Sequence, residues 1–156
     1  MERAIFAAGS FERVEEKFRR VEGVQQTVVG YAGGWAPDPS YFDVYTGTTG
    51  HAEAVEIYFD PGQVSYEQLL HVFWDVHDPT RFNRQGSDVG SQYRSAIFFH
   101  SREQEATARA SKERLRQSGR FTRPIVTEIV PATRFYRAEK YHQHHIGSQG
   151  NAVSQG

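Results

Sequence analysis

The chain has 156 residues, which suits one domain that buries about two-thirds of its unfolded surface. It is 38% hydrophobic and 13% aromatic, which excludes a disordered chain and predicts a core rich in aromatic rings. A formal net charge of −1 gives no basis for a nucleic-acid or membrane partner, and no apolar run suits a secretory signal or a membrane span, so we expect a cytoplasmic monomer.

The first half of the chain alternates between strand and helix patterns. The apolar run Ala4 to Ala8 ends at Gly9 and predicts a buried strand; apolar residues then recur at helical spacing, which places Ser10 near a helix N-terminus. Residues 27–32 are β-branched and bounded by glycines, as is typical of a strand. Residues 33–49 are too many for a turn and form a candidate functional loop, before a strand at 55–59 with one buried face.

The second half repeats this alternation. Ser65 and Gln68 form a capping-box pattern ahead of an amphipathic helix that reaches Trp74. Residues 78–93 are a second long polar loop, residues 95–99 a strand, and residues 101–118 a charged, largely exposed helix. We predict a strand at 125–130 and a short helix at 137–145.

This order of elements matches the split βαβ plan. We therefore predict an α+β fold, a ferredoxin-like two-layer sandwich with extra elements and long functional loops. The domain is expected to cover residues 1–146, and the small, polar, glycine-rich residues 147–156 are expected to form a flexible C-terminal tail.

Six short motifs resemble those of a known family. In chain order they are Gly9-Ser10-Phe11-Glu12, Tyr31-Ala32-Gly33-Gly34, Gly50-His51-Ala52-Glu53, His77-Asp78-Pro79-Thr80, Gln85-Gly86-Ser87-Asp88 and Pro124-Ile125-Val126-Thr127-Glu128-Ile129. From about Ile5 to His145, the chain resembles peptide methionine sulfoxide reductase of the A type. The resemblance implies the same ferredoxin-like core, and a family chemistry in which a cysteine thiolate attacks the sulfoxide sulfur.

The first motif departs from the family, which has Gly-Cys-Phe-Trp there. The resemblance implies that Ser10 stands at the nucleophilic cysteine and Glu12 at the tryptophan that packs on the substrate's methyl group. A helix N-terminus can ionise a thiol, whose pKa begins near about 8.5, but not a serine hydroxyl, whose pKa is far higher. The chain contains no cysteine at all, so no sulfenic acid can form and we expect thiol-dependent reduction to fail.

The other family positions imply an oxygen-binding site. Neutral carboxylic acid and phenol donors can hold a sulfoxide oxygen, and Phe11 matches a hydrophobic wall beside it. Arg13 replaces a position that is usually small, and Tyr45 one that is often cysteine. We therefore predict catalytic roles for Ser10, Glu12, Glu53, Asp88, Tyr41 and Tyr93, and substrate-binding roles for Phe11, Arg13, Tyr45 and His51.

Several of these residues also have simpler explanations. Ser10 is a good helix cap, Glu12 in a first helical turn favours the helix dipole, and His51 is expected to orient a loop by hydrogen bonding. His142, His144 and His145 lack acidic or cysteine neighbours at ligand spacing, so we interpret them as a solvated helix end and expect no metal and no cofactor.

Three functions remain open. The first is a family member that binds a sulfoxide-like or small polar ligand without thiol-dependent turnover; thioredoxin is then an unlikely partner, because the chain has no cysteine. The second is a non-redox enzyme in which Glu12 and Glu53 act as general acid and base. The third is a non-catalytic binding or sensor domain.

Overall fold

One mixed six-stranded sheet organises the chain, and the computed structural model describes residues 1–144. In chain order the elements are β1 (Glu2–Ala8), α1 (Phe11–Arg19), β2 (Val24–Ala32), α2 (Tyr41–Tyr45), β3 (Ala52–Phe59), α3 (Tyr66–Val76), β4 (Arg84–Gln85), β5 (Asp88–Val89), β6 (Ser95–Phe99), α4 (Arg102–Gln117), β7 (Glu128–Pro131) and β8 (Tyr136–Arg137). Short 3₁₀ turns cover Ser91–Tyr93 and Lys140–His142. No helix within residues 1–144 is long and apolar enough to cross a membrane.

The sheet order is β7-β6-β1-β3-β2-β8, and β4 pairs with β5 in a separate hairpin. The four central strands are antiparallel and follow the split βαβ order, which confirms the predicted α+β ferredoxin-like fold. The additions are β7, parallel to β6, and β8, antiparallel to β2. The predicted domain boundary at residue 146 and the tail at 147–156 lie outside the described residues.

The main core lies between the sheet and its helices. On β1, Ala4, Phe6 and Ala8 face the helices, as the alternation of a strand requires. The Phe6 ring lies 5.4 Å from the Phe18 ring of α1 and 5.2 Å from the Phe73 ring of α3, measured between centroids. Phe6 therefore joins both helices to the central strand.

The opposite face of the sheet is also covered, by the segment that connects β7 to β8. Ile5 and Phe98 pack there against Phe135 of that segment. A Cβ atom at Gly30 would lie 2.3 Å from the Tyr136 carbonyl oxygen, so only glycine permits this approach. The expectation that β3 has a single buried face is wrong, because Glu56 on its far side is only 7% exposed.

Three local expectations need correction. The long loop at 33–49 contains α2, which begins with a capping box formed by Ser40 and Asp43. The predicted strand at 125–130 begins only at Glu128. The predicted helix from Arg137 is instead β8 followed by one 3₁₀ turn, because the backbone of this segment hydrogen-bonds to β2; His145 lies outside the described residues.

Candidate functional site

A tight turn between β1 and α1 begins the site. Gly9 has a φ of +95°, and a Cβ atom there would lie 2.9 Å from Cγ of Gln85. The Gln85 side chain is buried and hydrogen-bonds both the N–H and the carbonyl oxygen of Asp78. Gly9 therefore provides both the left-handed backbone and the space in which the loop at 78–93 rests on the turn.

Ser10 occupies the N-cap position of α1, but its side chain makes no capping hydrogen bond. The simpler explanation of Ser10 as a helix cap is therefore not realised in this structure. The Phe11 N–H in the first turn donates instead to Oε1 of Glu53, at 3.1 Å. A carboxyl group from β3 thus takes over part of the capping of α1.

Glu53 is buried on the helix-bearing face of β3, with 3% of its surface exposed. Burial raises the pKa of Glu53 to about 7; the Phe11 N–H opposes this shift, while the negative charges of Glu12 and Asp88 add to it. Glu53 is therefore partly protonated near neutral pH. Because Oε1 accepts the Phe11 N–H, Oε2 is the oxygen that can carry the proton.

Two tyrosines accompany Glu53. Burial raises the pKa of Tyr93 to about 12, and the charge of Glu53 contributes to that rise. The pKa of Tyr41 is also raised by burial, then by Glu53, Glu12 and Asp88. Both phenols therefore remain protonated donors at neutral pH. Asp88, half-buried in β5, affects the pKa values of Glu53 and both tyrosines, so these four predicted site residues share one electrostatic cluster.

A histidine that we expected in solvent lies inside this cluster. His142 is 5% exposed, and its Nδ1 lies 2.7 Å from Oε1 of Glu12. Its ring lies between aromatic neighbours, with centroid distances of 4.5 Å to Tyr41 and 5.2 Å to Phe11. The expectation of a solvated helix end is therefore wrong for His142. The contact joins residues 130 positions apart, which no local pattern reveals.

Glu139 is a second residue of the site that was not expected from the sequence. Its Oε1 accepts the Tyr31 hydroxyl at 2.8 Å, and its Oε2 accepts the Tyr41 N–H at 2.9 Å. Burial alone would raise the pKa of Glu139, but these hydrogen bonds outweigh it and the pKa is lowered. Glu139 therefore stays ionised and fixes the start of α2 beside the sheet.

The predicted substrate-binding residues occupy different surroundings. Phe11 is buried against Tyr31 and Tyr41. Tyr45 is 61% exposed, with its ring 6.4 Å from that of Tyr41.

His51 and Arg13 direct their polar atoms elsewhere. Nδ1 of His51 accepts the Gly34 N–H at 2.9 Å and Nε2 donates to the Ala36 carbonyl at 2.7 Å, so His51 orients the loop as expected. Arg13 turns toward α3 and donates to the Val76 carbonyl at 2.9 Å. The structure does not bring the Arg13 guanidinium into the cluster.

Two surface grooves lie away from these residues. One runs between α3 and α4 beside Trp74 and Ser111, and the other lies on the far face of the sheet beside Arg3 and Glu56. Neither is lined by a predicted site residue. Within residues 1–144, no group of three or more histidine, aspartate or glutamate residues is arranged to hold a metal ion.

Residues 2–155 match the family model described as peptide methionine sulfoxide reductase. The chain belongs to this reductase family. The MsrA protein of Geobacter sulfurreducens is 59% identical to this chain, and the match covers 96% of this chain and 93% of the relative. The MsrA protein of Methanoculleus marisnigri is 60% identical, and the match covers 96% of this chain and 92% of the relative.

Solved reductase structures also superpose on this chain. Reduced Mxr1 of Saccharomyces cerevisiae has a TM-score of 0.89 at 32% identity, over 96% of this chain and 86% of its own. MsrA of Corynebacterium diphtheriae has a TM-score of 0.86 at 36% identity, and the match covers 96% of this chain and 75% of the diphtheria protein. The match to these reductases agrees with the α+β fold described above.

One expectation about partners is wrong. We expected thioredoxin to be unlikely, because the chain has no cysteine. A further solved structure contains Mxr1 in complex with Trx2, and it shares this fold with a TM-score of 0.65 at 23% identity. This neighbour, solved with Trx2 bound, points to thioredoxin as a partner and contradicts our expectation.

Proposed function

We propose that this member of the methionine sulfoxide reductase family binds a methionine sulfoxide, or a similar small sulfoxide, without reducing it at the expense of thiols. The observation that carries the proposal is Glu53, a buried acid whose pKa is raised to about 7. In its protonated form it offers Oε2 as a hydrogen-bond donor. The phenols of Tyr41 and Tyr93, which remain protonated, supply further donors to the same sulfoxide oxygen.

The chemistry at Ser10 supports the second half of the proposal. Reduction by the family's route needs a thiolate that attacks the sulfoxide sulfur and is oxidised to a sulfenic acid, while the sulfoxide is released as the thioether. Ser10 stands where the family resemblance implies that nucleophile, and a serine oxygen can form no sulfenic acid. The sequence has no cysteine at any position that could take over the step or regenerate the enzyme.

The hydrogen bond between Glu12 and His142 bears on how the site could contact the sulfoxide's methyl group. Glu12 stands where the family resemblance implies a tryptophan, and a bare carboxylate would make that wall polar. Its carboxylate binds His142, whose ring packs beside Phe11 and Tyr41. We propose that the imidazole ring provides the contact surface that the tryptophan provides in the family.

Calorimetric titration with N-acetylmethionine S-sulfoxide tests this function. We expect saturable binding that N-acetylmethionine does not show. Loss of one buried donor costs about 1–3 kcal/mol, so Glu53→Ala should weaken binding about 5- to 150-fold. Glu53→Gln should retain binding, because its amide can accept the Phe11 N–H and still donate.

Glu56→Ala is the matched control, since Glu56 is a buried acid of the same strand on the opposite face of the sheet. It should bind the sulfoxide like the unmodified protein. Equal affinities for the sulfoxide and the thioether, or an unaltered affinity in Glu53→Ala, would contradict the proposal.

The acid–base alternative with Glu12 and Glu53 has one supporting observation, the contribution of the Glu12 charge to the raised pKa of Glu53. The hydrogen bond from His142 to Glu12 weighs against it, because it engages the carboxylate that would have to exchange protons with a substrate. Binding of the sulfoxide without any conversion would favour the binding or sensor function instead.

Thioredoxin belongs among the partners to be tested, since Mxr1 assembles with Trx2. Because this chain has no cysteine, it cannot contribute to a mixed disulfide, and any contact would be noncovalent on its side.

A further inference from the structure

We propose that the same site carries out acyl transfer on small esters, with Ser10 as the nucleophile, His142 as the general base and Glu12 as the residue that orients His142. This activity goes beyond sulfoxide binding and does not depend on it. Its chemical class is that of the serine hydrolases, in which a base activates a hydroxyl and a carboxylate orients the base.

Three observations on three different residues carry the inference. The Ser10 side chain, although at an N-cap, makes no capping hydrogen bond. Oε1 of Glu12 lies 2.7 Å from Nδ1 of His142. Nε2 of His142 is buried and has no hydrogen-bond partner among residues 1–144. A buried polar nitrogen without a partner is costly, and such an atom in a native structure calls for an explanation.

The tautomer of His142 follows from its partner. An ionised carboxylate can only accept, so Nδ1 carries the proton that it donates to Glu12. Neutral His142 then has its lone pair on Nε2, which is the form that accepts a proton from a nucleophile. The unpartnered atom is therefore also the basic atom.

The three residues meet around Phe11. Ser10 and Glu12 flank Phe11, and the His142 ring lies 5.2 Å from the Phe11 ring, between centroids. The Ser10 hydroxyl and Nε2 of His142 are not hydrogen-bonded to each other in this structure. In enzymes without substrate such contacts are often long, and they shorten when the substrate binds.

The acid and phenol donors would serve the developing oxyanion. Attack of Ser10 Oγ on an ester carbonyl carbon forms a C–O bond and moves the carbonyl electron pair onto oxygen. Protonated Glu53, Tyr41 and Tyr93 can donate to that oxygen, as preorganised donors do in acyl-transfer enzymes.

The proton balance closes without a cofactor. Nε2 of His142 takes the Ser10 hydroxyl proton and passes it to the leaving alkoxide as the ester C–O bond breaks. Nε2 then takes a proton from water as the water oxygen bonds to the acyl carbon. It returns this proton to Ser10 Oγ as the bond between Oγ and the acyl carbon breaks, which releases the carboxylic acid and restores both residues. No oxidant or reductant is consumed.

The test uses the purified full-length chain with a fluorophosphonate probe and with p-nitrophenyl acetate. We expect one covalent phosphonyl adduct, mapped to Ser10 by peptide mass spectrometry, and none in Ser10→Ala. General-base catalysis contributes about 10²- to 10⁴-fold, so His142→Gln should slow labelling and ester hydrolysis by at least about 100-fold. Glu12→Gln should slow both, with its fold retained as judged by circular dichroism.

His71→Gln, at an exposed histidine of α3, is the control for imidazole-dependent background and should label like the unmodified protein. Absence of a Ser10 adduct, or an unchanged labelling rate in His142→Gln, would overturn the proposal. Sulfoxide titration and probe labelling of the unmodified protein separate the two functions. Sulfoxide binding without a Ser10 adduct would overturn acyl transfer alone, and a Ser10 adduct without sulfoxide binding would overturn the proposed function alone.

Discussion

Replacement of Glu53 by glutamine should change how the stability of the protein depends on pH. Burial raises the pKa of Glu53 from 4.5 to about 7 in the folded state. The folded protein therefore holds this proton more tightly than the unfolded chain, and the free energy of unfolding falls as pH rises between these two values. At 1.36 kcal/mol per pKa unit, ionised Glu53 destabilises the fold above pH 7 by about 3 kcal/mol relative to pH 4.

Urea unfolding at pH 5 and pH 8 measures this contribution. Glu53→Gln keeps an acceptor for the Phe11 N–H but has no proton to lose. The mutant should therefore gain stability relative to the unmodified protein on going from pH 5 to pH 8, by about 2–3 kcal/mol. Because both proteins are compared at the same pH, the contributions of other titrating groups to the free energy of unfolding cancel. His77 is one such group, since burial lowers its pKa to about 4.

Glu56→Gln provides the control, since it removes another buried acid of β3 from the opposite face. A stability difference between Glu53→Gln and the unmodified protein that is the same at both pH values would refute the account of Glu53 as a buried, partly protonated acid.

The remaining predictions concern the core, the turn and the nucleophile. Phe6→Ala should lower the free energy of unfolding by about 3–5 kcal/mol in urea titration, because it opens a cavity between α1, α3 and the sheet. Gly9→Ala should cost at least about 1 kcal/mol in the same assay, from the positive φ and the contact with Gln85; no loss would contradict the close approach. The double change Ser10→Cys with Glu12→Trp should release methionine from the S-sulfoxide in the presence of dithiothreitol, and Ser10→Cys alone should do so more slowly. Equal rates would show that the wall at Glu12 has no effect on reduction.

The central strands and helices could be predicted because their signals are local. Apolar alternation in β1, the capping box before α3 and the charged face of α4 all act within a few residues of the chain. The short helix α2 was missed because five residues are too few to show a helical period.

The site was predictable only in part. The family resemblance indicated Glu53, Tyr41 and Tyr93, whose environments depend on burial that the sequence does not give. His142 and Glu139 were missed because their partners lie about a hundred residues or more away, on α1, β2 and α2. Their position follows from the pairing of β8 with β2, which replaces the helix that residues 137–145 were expected to form.

The most direct test of the proposed function follows the S-methyl resonance of ¹³C-methyl-labelled N-acetylmethionine S-sulfoxide by NMR, with protein and dithiothreitol present. One spectrum series reports both binding and reduction, because the sulfoxide and thioether methyl groups resonate at different shifts. We predict that the sulfoxide signal shifts or broadens with the unmodified protein and does so less at the same concentration of Glu53→Ala. We also predict that no thioether signal grows above the protein-free blank. Steady growth of the thioether signal with the unmodified protein and not with Ser10→Ala, or a sulfoxide signal that the protein leaves unchanged, would contradict the account.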